Sequence, residues 1–397
     1  MTYTPGLWER EPYSQNAPAG SFTVELLPEV RDLLIAHAPV ALGVSGGKDS
    51  SATALVTTTY LDEIGHQGPH LLIHSDLGRI EWRESLPMCQ RLADFLGLEL
   101  VVVRRQAGDL LDRWQVRWCN NVERYANLET VRLILPWSTP SMLFCRSELK
   151  AAIISRELIR RFPGQIILST TGIRREESAT RANAPIAAPQ PRLTSVTHKT
   201  GGWDWHPIAN WTLAQVFAYH QLRQFPLHPA YAQGMTRVSC AYCVVASLSD
   251  LTTSAKNPDN QELYRELVEI EIISSFSFQS GHWLGDLAPL LLSESQRHRF
   301  TEAKRRAAIR EKAEARIPRH LLYTQRWPTT MPTQEEARLL AEVRGIVADT
   351  LEITIAYREP EAILARYAEL MQAKREKAIQ GRAICVQPQL LKSEIPS

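Results

Sequence analysis

The sequence has few cysteines, no marked charge excess and no long apolar run. Six cysteines among 397 residues are too sparse to staple a fold, so close spacing of any of them points to metal or redox chemistry. Forty-five lysines and arginines against 43 aspartates and glutamates leave a formal charge of +2, which by itself neither selects nor rejects a polyanionic partner. No segment approaches the roughly 20 apolar residues of a membrane-spanning helix, and residues 1–22 carry no apolar signal core. The expectation is a soluble, cytoplasmic protein with no membrane partner. Low-complexity tracts are missing too. Composition is globular, 44% hydrophobic and 22% charged, and the length suggests two domains.

What is present is an alternation of elements between about residues 38 and 250. VALGV (40–44), HLLIHSD (70–76), LELVVVRR (98–105) and QIILSTTG (165–172) read as buried strands, separated by segments whose apolar residues recur at helical spacing. Such alternation predicts an α/β fold, a doubly wound parallel sheet with helices on both faces, in which ligands sit beyond the carboxyl ends of the strands. After about residue 255 the chain turns to charged, alanine- and glutamate-rich segments. TQEEARLLAEVRGIVADTL opens with Thr333 and Glu336 at capping-box spacing, and a later run ends at Gly381, a fitting helix stop. The expected organisation is an N-terminal extension over 1–37, a nucleotide-binding domain over 38–254 and a mainly helical region over 255–397.

The stretch VALGVSGGKDSSATALV, residues 40–56, carries the clearest chemistry. Ser45, Gly46 and Gly47 let the backbone turn sharply and present its amides to an anion. A helix starting near Asp49 aims its dipole at the same place. Lys48 adds a mobile cation, and the hydroxyls of Ser45 and Ser50 are donors for phosphate oxygens. Asp49 is expected to cap the helix or to orient a magnesium ion. The Walker pattern G-x-x-x-x-G-K-[ST] is absent.

SGGKDS after an apolar strand resembles the pyrophosphate loop, or PP-loop, of the adenine nucleotide α-hydrolase-like superfamily. TTGIRREESATRA (170–182) resembles the G-[IL]-R-R-x-x-S-x-x-R segment of its phosphoadenosine phosphosulfate (PAPS) reductase branch. WHPIANWTLAQVFAYHQLRQFPLHPAYAQGMTRVSCAYC resembles that branch's W-x-P-[IL]-x-x-W-[ST] and H-P-x-Y-x-x-G…R-x-x-C-x-x-C stretch. The resemblance covers residues 38 to 250. It implies an adenine nucleotide, ATP or an adenylyl sulfate with Mg2+, whose phosphates rest on residues 45 to 50. It also implies an adenosine-side role for Asp76, in a strand-end loop with Gly78 and Arg79. Arg174, Arg175 and Arg181, which follow Gly172 at a strand end, are suited to phosphate or sulfate, since guanidinium presents paired donors.

Cys240 and Cys243 form a C-x-x-C, a spacing that suits zinc, a redox dithiol or an iron–sulfur centre; Cys89 reads as a core residue inside a helix. Cluster-bearing members of the family carry a Cys-Cys pair before a basic helix and a C-x-x-C about ninety residues later. Here Phe144-Cys145 replaces the pair and Lys150 follows. The resemblance therefore implies a 4Fe-4S cluster on Cys145, Cys240 and Cys243, with Cys119 as fourth ligand or with one open iron, and zinc as the alternative metal.

The family's reductases use a thiolate in an E-C-G-[IL]-H tail, and this chain has only Cys385 in RAICVQPQ. The expected chemistry is thus the ATP pyrophosphatase half: an acceptor is adenylylated, pyrophosphate leaves, and sulfur from a donor protein displaces AMP. Relatives with this loop and clustered cysteines act in DNA phosphorothioation, which makes nucleic acid a candidate acceptor. The alternatives are a thiol-dependent sulfonucleotide reductase and a non-catalytic nucleotide-binding subunit of a larger complex. The segment 302–327 reads either as a nucleic-acid surface or as a solvated amphipathic helix, because Glu302, Glu311 and Glu314 intersperse its cations. Trp137, Trp203 and Trp205 suit core packing, shielding of the cluster or stacking on a base.

Overall fold

A computed structural model describes residues 22–386, with side chains described up to residue 377. The reading of the extreme N-terminus lies largely outside these residues, and so does the Cys385 side chain. The chain divides into two units. One holds the residues up to Arg113, Ser138–Glu266 and Asp286–Leu291; the other holds Trp114–Trp137, Leu267–Gly285 and the residues from Leu292 onward. This partition is interleaved, unlike a single boundary near residue 255. The reason is apolar packing: Trp118, Tyr125, Leu128 and Val131 share one core with Leu340, Val347 and Ile363.

The first unit contains a six-stranded sheet: β1 Val40–Gly43, β2 His70–Asp76, β3 Leu100–Arg104, β4 Ile166–Thr170, β5 Ala187–Pro189 and β6 Gly201–Trp205. Their order is β3-β2-β1-β4-β6-β5. The four strands expected from the sequence are parallel, with Val40 opposite both His70 and Leu168. Two more strands extend the sheet. β6 runs parallel to β4, and three-residue β5 pairs antiparallel at the edge, so the sheet is mixed. Neither has the apolar run or alternation that marks a strand in sequence. β6 reads GGWDW, and its Gly202 is needed because a Cβ there would lie 2.4 Å from the Leu193 side chain.

Alternate residues feed separate cores on the two faces. Val40, Leu42, Leu72 and Leu168 join one cluster; Ala41, Leu71, Ile73 and Ile167 join the other. The chain moves outward from β1 to β2 and β3, then crosses to β4 on the opposite side. β1 and β4 therefore flank the switch point where open α/β sheets leave a crevice. The loop at residues 44–47 rises from it.

The second unit is helical. Gln334–Leu351 starts with the expected capping box, Thr333 Oγ1 accepting from the Glu336 amide while Glu336 accepts from the Thr333 amide. Gly381 does not end the last helix, which spans Pro360–Val386. One interior glycine costs only about 1 kcal/mol against alanine, and the flanking residues favour helix. The cationic segment is α-helical only to Glu314, the end of the helix Glu294–Glu314, and several of its charges are paired. Arg305 and Arg306 meet Glu302, Arg316 meets Glu342, and Arg310 is buried over the Phe276 ring. Trp137 packs edge-on against Trp114 and Phe278, and Trp205 is fully buried in the first unit, so both are core residues.

Glu271 is buried in the second unit and its carboxylate accepts from the amides of Phe278, Leu284 and Gly285. Glu271→Ala leaves these donors without an acceptor. The expected loss is on the order of 3 kcal/mol, read as an earlier transition in urea or a lower Tm.

Candidate nucleotide and cysteine site

The strand-to-helix turn after β1 is shaped by close approaches. Gly46 has φ +75°, and a Cβ there would lie 2.8 Å from the Ser85 carbonyl oxygen. The helix Lys48–Glu63 follows, one residue earlier than expected, with Gly47 at its N-cap and no side chain capping it. Its first amides thus face the crevice, apart from that of Lys48, which donates to the Tyr231 hydroxyl at 3.1 Å. Ser45 and Ser50 hold the turn together: the Ser45 amide donates to Ser50 Oγ at 3.2 Å, and Ser50 Oγ donates to the Gly47 carbonyl.

Asp49 does not cap this helix. Its carboxylate binds Lys48 Nζ at 3.1 Å and Arg174 Nε at 2.6 Å, while Arg174 also reaches Glu176. A magnesium ion arriving with a polyphosphate would compete with two cations already on Asp49. Arg174 is almost fully buried, so its position is fixed. Gly172 makes the contact feasible, because a Cβ on it would lie 2.7 Å from the Asp49 carbonyl. Lys48 is held as well: Nζ donates to the Thr236 carbonyl at 3.4 Å and lies 5.2 Å from the Tyr231 ring centre.

The remaining arginines divide. Arg175 is committed to scaffolding, donating to the Ala184 carbonyl and to Asn210 Oδ1. Arg181 pairs with Glu177, which also meets Arg237 at 3.4 Å. Burial, together with the charges of Arg237 and Arg146, lowers the Arg181 pKa to about 10. Arg181, Arg237, Arg146 and Arg174 outnumber the carboxylates of Glu177 and Asp49 here, which leaves this region cationic. Asp76 accepts from the Gly78 amide at 2.7 Å and faces Arg104 at 3.5 Å, at the end of β2. Arg79 is neutralised by Asp109, Asp112 and Glu266.

Several contributors escaped the sequence reading. The hydroxyls of Ser85, Thr170 and Thr171 are buried with no hydrogen-bond partner, and their residues border Gly43 and Gly46. All three oxygens are closed off from solvent in this structure. Tyr231, His220 and Arg237 lie within the quoted H-P-x-Y stretch or just before it, yet only three-dimensional contact reveals their roles. His220 Nε2, for instance, sits 2.8 Å from the Lys48 carbonyl.

The cysteine segment starts from the loop itself. Thr236 holds Lys48, the Val238 carbonyl lies 3.1 Å from where a Gly47 Cβ would be, and Cys240 follows two residues later. Cys240 bridges to Glu81, and the Ala241 amide donates to the Ile80 carbonyl. His74 ties the same region to β1. Its Nδ1 lies 3.0 Å from the Val44 carbonyl and its Nε2 lies 3.1 Å from Glu81 Oε2. With both nitrogens facing acceptors the ring is an imidazolium. Burial opposes this charge, but bonds to Cys89 and Glu81 and the Glu81 charge prevail and raise the pKa to about 10.

Burial pushes the Cys240 thiol well above its ordinary pKa; Lys150 opposes the shift, while Cys243, Glu81 and Cys145 add to it. Among the described residues no group of three or more His, Cys, Asp or Glu is drawn together tightly enough to hold a metal ion. Cys119 is exposed on the helix Leu110–Ala126 and belongs to the second unit; the other three belong to the first.

A family model, the phosphoadenosine phosphosulfate reductase domain, matches residues 39–246. The chain belongs to that family. Within the PAPS reductase domain lie the loop, the arginines and Cys145, Cys240 and Cys243. An uncharacterized 37.8 kDa protein of Escherichia phage 186 is 26% identical over 240 residues, covering 53% of this chain and 68% of its own. Among solved structures, the phosphate complex of Candida auris phosphoadenylyl-sulfate reductase matches 54% of this chain and 89% of its own, at 15% identity and a TM-score of 0.35. Candida glabrata FMN adenylyltransferase, with FAD and inorganic pyrophosphate, matches 51% of this chain and 55% of its own, at 13% identity and a TM-score of 0.33.

Two outcomes follow from this geometry. Gly172→Ala forces β4 away from Asp49 and should reduce the thermal protection given by ATP at least tenfold in apparent affinity, measured by differential scanning fluorimetry. The His74 imidazolium contributes stability in full below its ordinary pKa near 6.5 and loses it as pH rises toward 10. Tm should therefore fall more steeply between pH 7 and 10 in the native protein than in His74→Gln, by the equivalent of a few kcal/mol.

Proposed function

We propose that this chain is a PP-loop ATP pyrophosphatase that adenylylates an acceptor for sulfur transfer. The observation that carries the reading is the continuity from loop to thiols: Lys48 touches Thr236, Gly47 abuts Val238, and Cys240 comes next in the chain. A site that activated nucleotide without handling sulfur would have no use for three thiols at that position.

In this reading the free amides at the start of the helix Lys48–Glu63 and the side chain of Lys48 hold the β- and γ-phosphates. The acceptor oxygen attacks the α-phosphorus, the bond to the β-phosphate oxygen breaks, and pyrophosphate leaves. Arg181, Arg237 and Arg146 offset the charge that builds on phosphoryl oxygens. Arg174 keeps Asp49 and the helix start in place, and Arg175 braces the arginine segment. Sulfur from a donor protein then displaces AMP from the adenylylated acceptor. Nucleic acid is the acceptor class favoured by the likeness of the motifs to those of phosphorothioation proteins.

The thiols of Cys145, Cys240 and Cys243 are donors of the type a 4Fe-4S cluster takes, and they would hold it with one position left open. A buried thiol that resists ionisation becomes a ligand when a cation supplies the missing charge. When bound, such a cluster supplies or relays sulfide. Lys150 offsets the negative charge of the thiolates, and Glu81 joins Cys240 to His74.

The cationic pocket around Arg181 also suits the sulfate of an adenylyl sulfate, which supports a reductase as second reading. Incubating anaerobically purified protein with ATP and, separately, with adenylyl sulfates distinguishes them. We expect pyrophosphate release from ATP, no sulfite release, and a fall of at least a hundredfold in turnover for Lys48→Ala. Sulfite release that is lost in Cys385→Ser would replace the first reading with the second; nucleotide binding without turnover would leave a nucleotide-binding subunit. Brown colour absent from anaerobic preparations, or retained in Cys240→Ser, would refute the cluster.

A further inference from the structure

A second basic feature lies at the other end of the sheet. The helix Ala152–Arg161 packs Leu158 against the cluster that holds Ala41 and Val103, while another face of the same helix lines an open trough of about 530 Å3. That face carries Ser155, Arg156, Ile159 and Arg160. Arg192, Ser195 and His198 form the opposite wall, in the segment that leads into β6. The trough belongs wholly to the first unit.

Its position separates it from the nucleotide loop. Gly201, at the start of β6, pairs with Ile166 at the start of β4, whereas Gly46 follows the opposite end of the parallel β1. A full strand length lies between the two. The two sites cannot be subsites for one small ligand.

The lining is chemically one-sided. It contains three guanidiniums, an imidazole and two hydroxyls, with no carboxylate. Arg160 shares its charge with Glu157, at 2.7 Å. Neither Arg156 nor Arg192 has a carboxylate partner among the described residues, and both are exposed. The turn on the far wall is closed by reciprocal Ser195–Thr200 backbone bonds, and Ser195 Oγ meets both the ring and the amide of His198. This holds His198 at the rim, where exposed Lys199 follows with φ +52°. Arg156 and Arg192, without counter-charges on the protein, leave the trough an electrostatic footprint suited to a polyanion. Ile159 and Ala152 give the trough an apolar patch of the kind a sugar or base edge covers.

We propose that this trough binds the phosphodiester backbone of a nucleic-acid strand, with Arg156 and Arg192 as its principal phosphate contacts. This deepens the function proposed above by giving the acceptor a surface. Binding is read without nucleotide, sulfur donor or cluster turnover, so the failure of one claim leaves the other standing.

The test is fluorescence anisotropy of a labelled single-stranded DNA with the full chain, between about 50 and 200 mM salt. We expect salt-sensitive binding. Arg156→Glu/Arg192→Glu should weaken it at least tenfold and make the log–log salt dependence shallower by about 1.4, at about 0.7 per lost contact. The same double variant should keep the native protection by ATP, which shows that it folds. Absence of binding at low salt, or equal affinity in the double variant, overturns the proposal. Displacement of the strand by AMP or inorganic phosphate as effectively as by unlabelled strand overturns it too, because the trough would then be a small-anion site.

Discussion

The pairing of Asp49 with Arg174 is the constraint on which the site depends. Asp49 opens a helix whose amides are uncapped, and Arg174 leaves the end of the neighbouring strand segment. The 2.6 Å contact between them fixes the helix start against β4, and it is possible only because residue 172 lacks a side chain. An anion-binding helix terminus needs its donors held in place before the anion arrives, otherwise ordering them opposes binding. Here a buried ion pair and two close glycine contacts do the ordering. Lys48 is drawn into the same cluster, so its ammonium is positioned yet exchangeable, bound by a carboxylate and a carbonyl that a phosphate can replace.

From that point the structure runs in two directions. Toward the edge of the sheet, Gly47 and Lys48 rest on residues 231 to 238, and this segment continues into Cys240 and Cys243. Along the strands, His74 links the Val44 carbonyl to Glu81, which bridges to Cys240. The loop at residues 44–47 and the cysteine segment are thus joined twice, by packing at Gly47 and Lys48 and by the His74–Glu81 bond with the backbone bridge from Glu81 to Cys240.

Much of this was legible in the sequence. The apolar runs gave β1 to β4, since strands buried on both faces read as continuous Val, Ile and Leu. The glycines at 46, 47 and 172 were legible because no other residue suits those approaches. What was not legible has physical causes. β6 is built from GGWDW, where packing of Leu193 against a glycine decides the conformation rather than local preference. The role of Asp49 was misread as a cap because its partner lies 125 residues away in sequence. Arg175 and Arg181 look alike in the motif, yet one braces two loops and the other faces the cationic pocket; side-chain direction alone separates them. The interleaved second unit was hidden because residues 114–137 earn their place through tertiary burial beside Leu340 and Val347, not through a change in composition.

The central claim is that the free amides between Gly46 and Ser50, that of Lys48 apart, hold the polyphosphate of an adenine nucleotide. A crystal structure with a non-hydrolysable ATP analogue tests it most directly. The account predicts phosphate oxygens within hydrogen-bond distance of the Gly46, Gly47, Asp49 and Ser50 amides, with Lys48 Nζ released from Asp49. Phosphates bound elsewhere on the chain, with the loop unchanged and Lys48 still on Asp49, would contradict it.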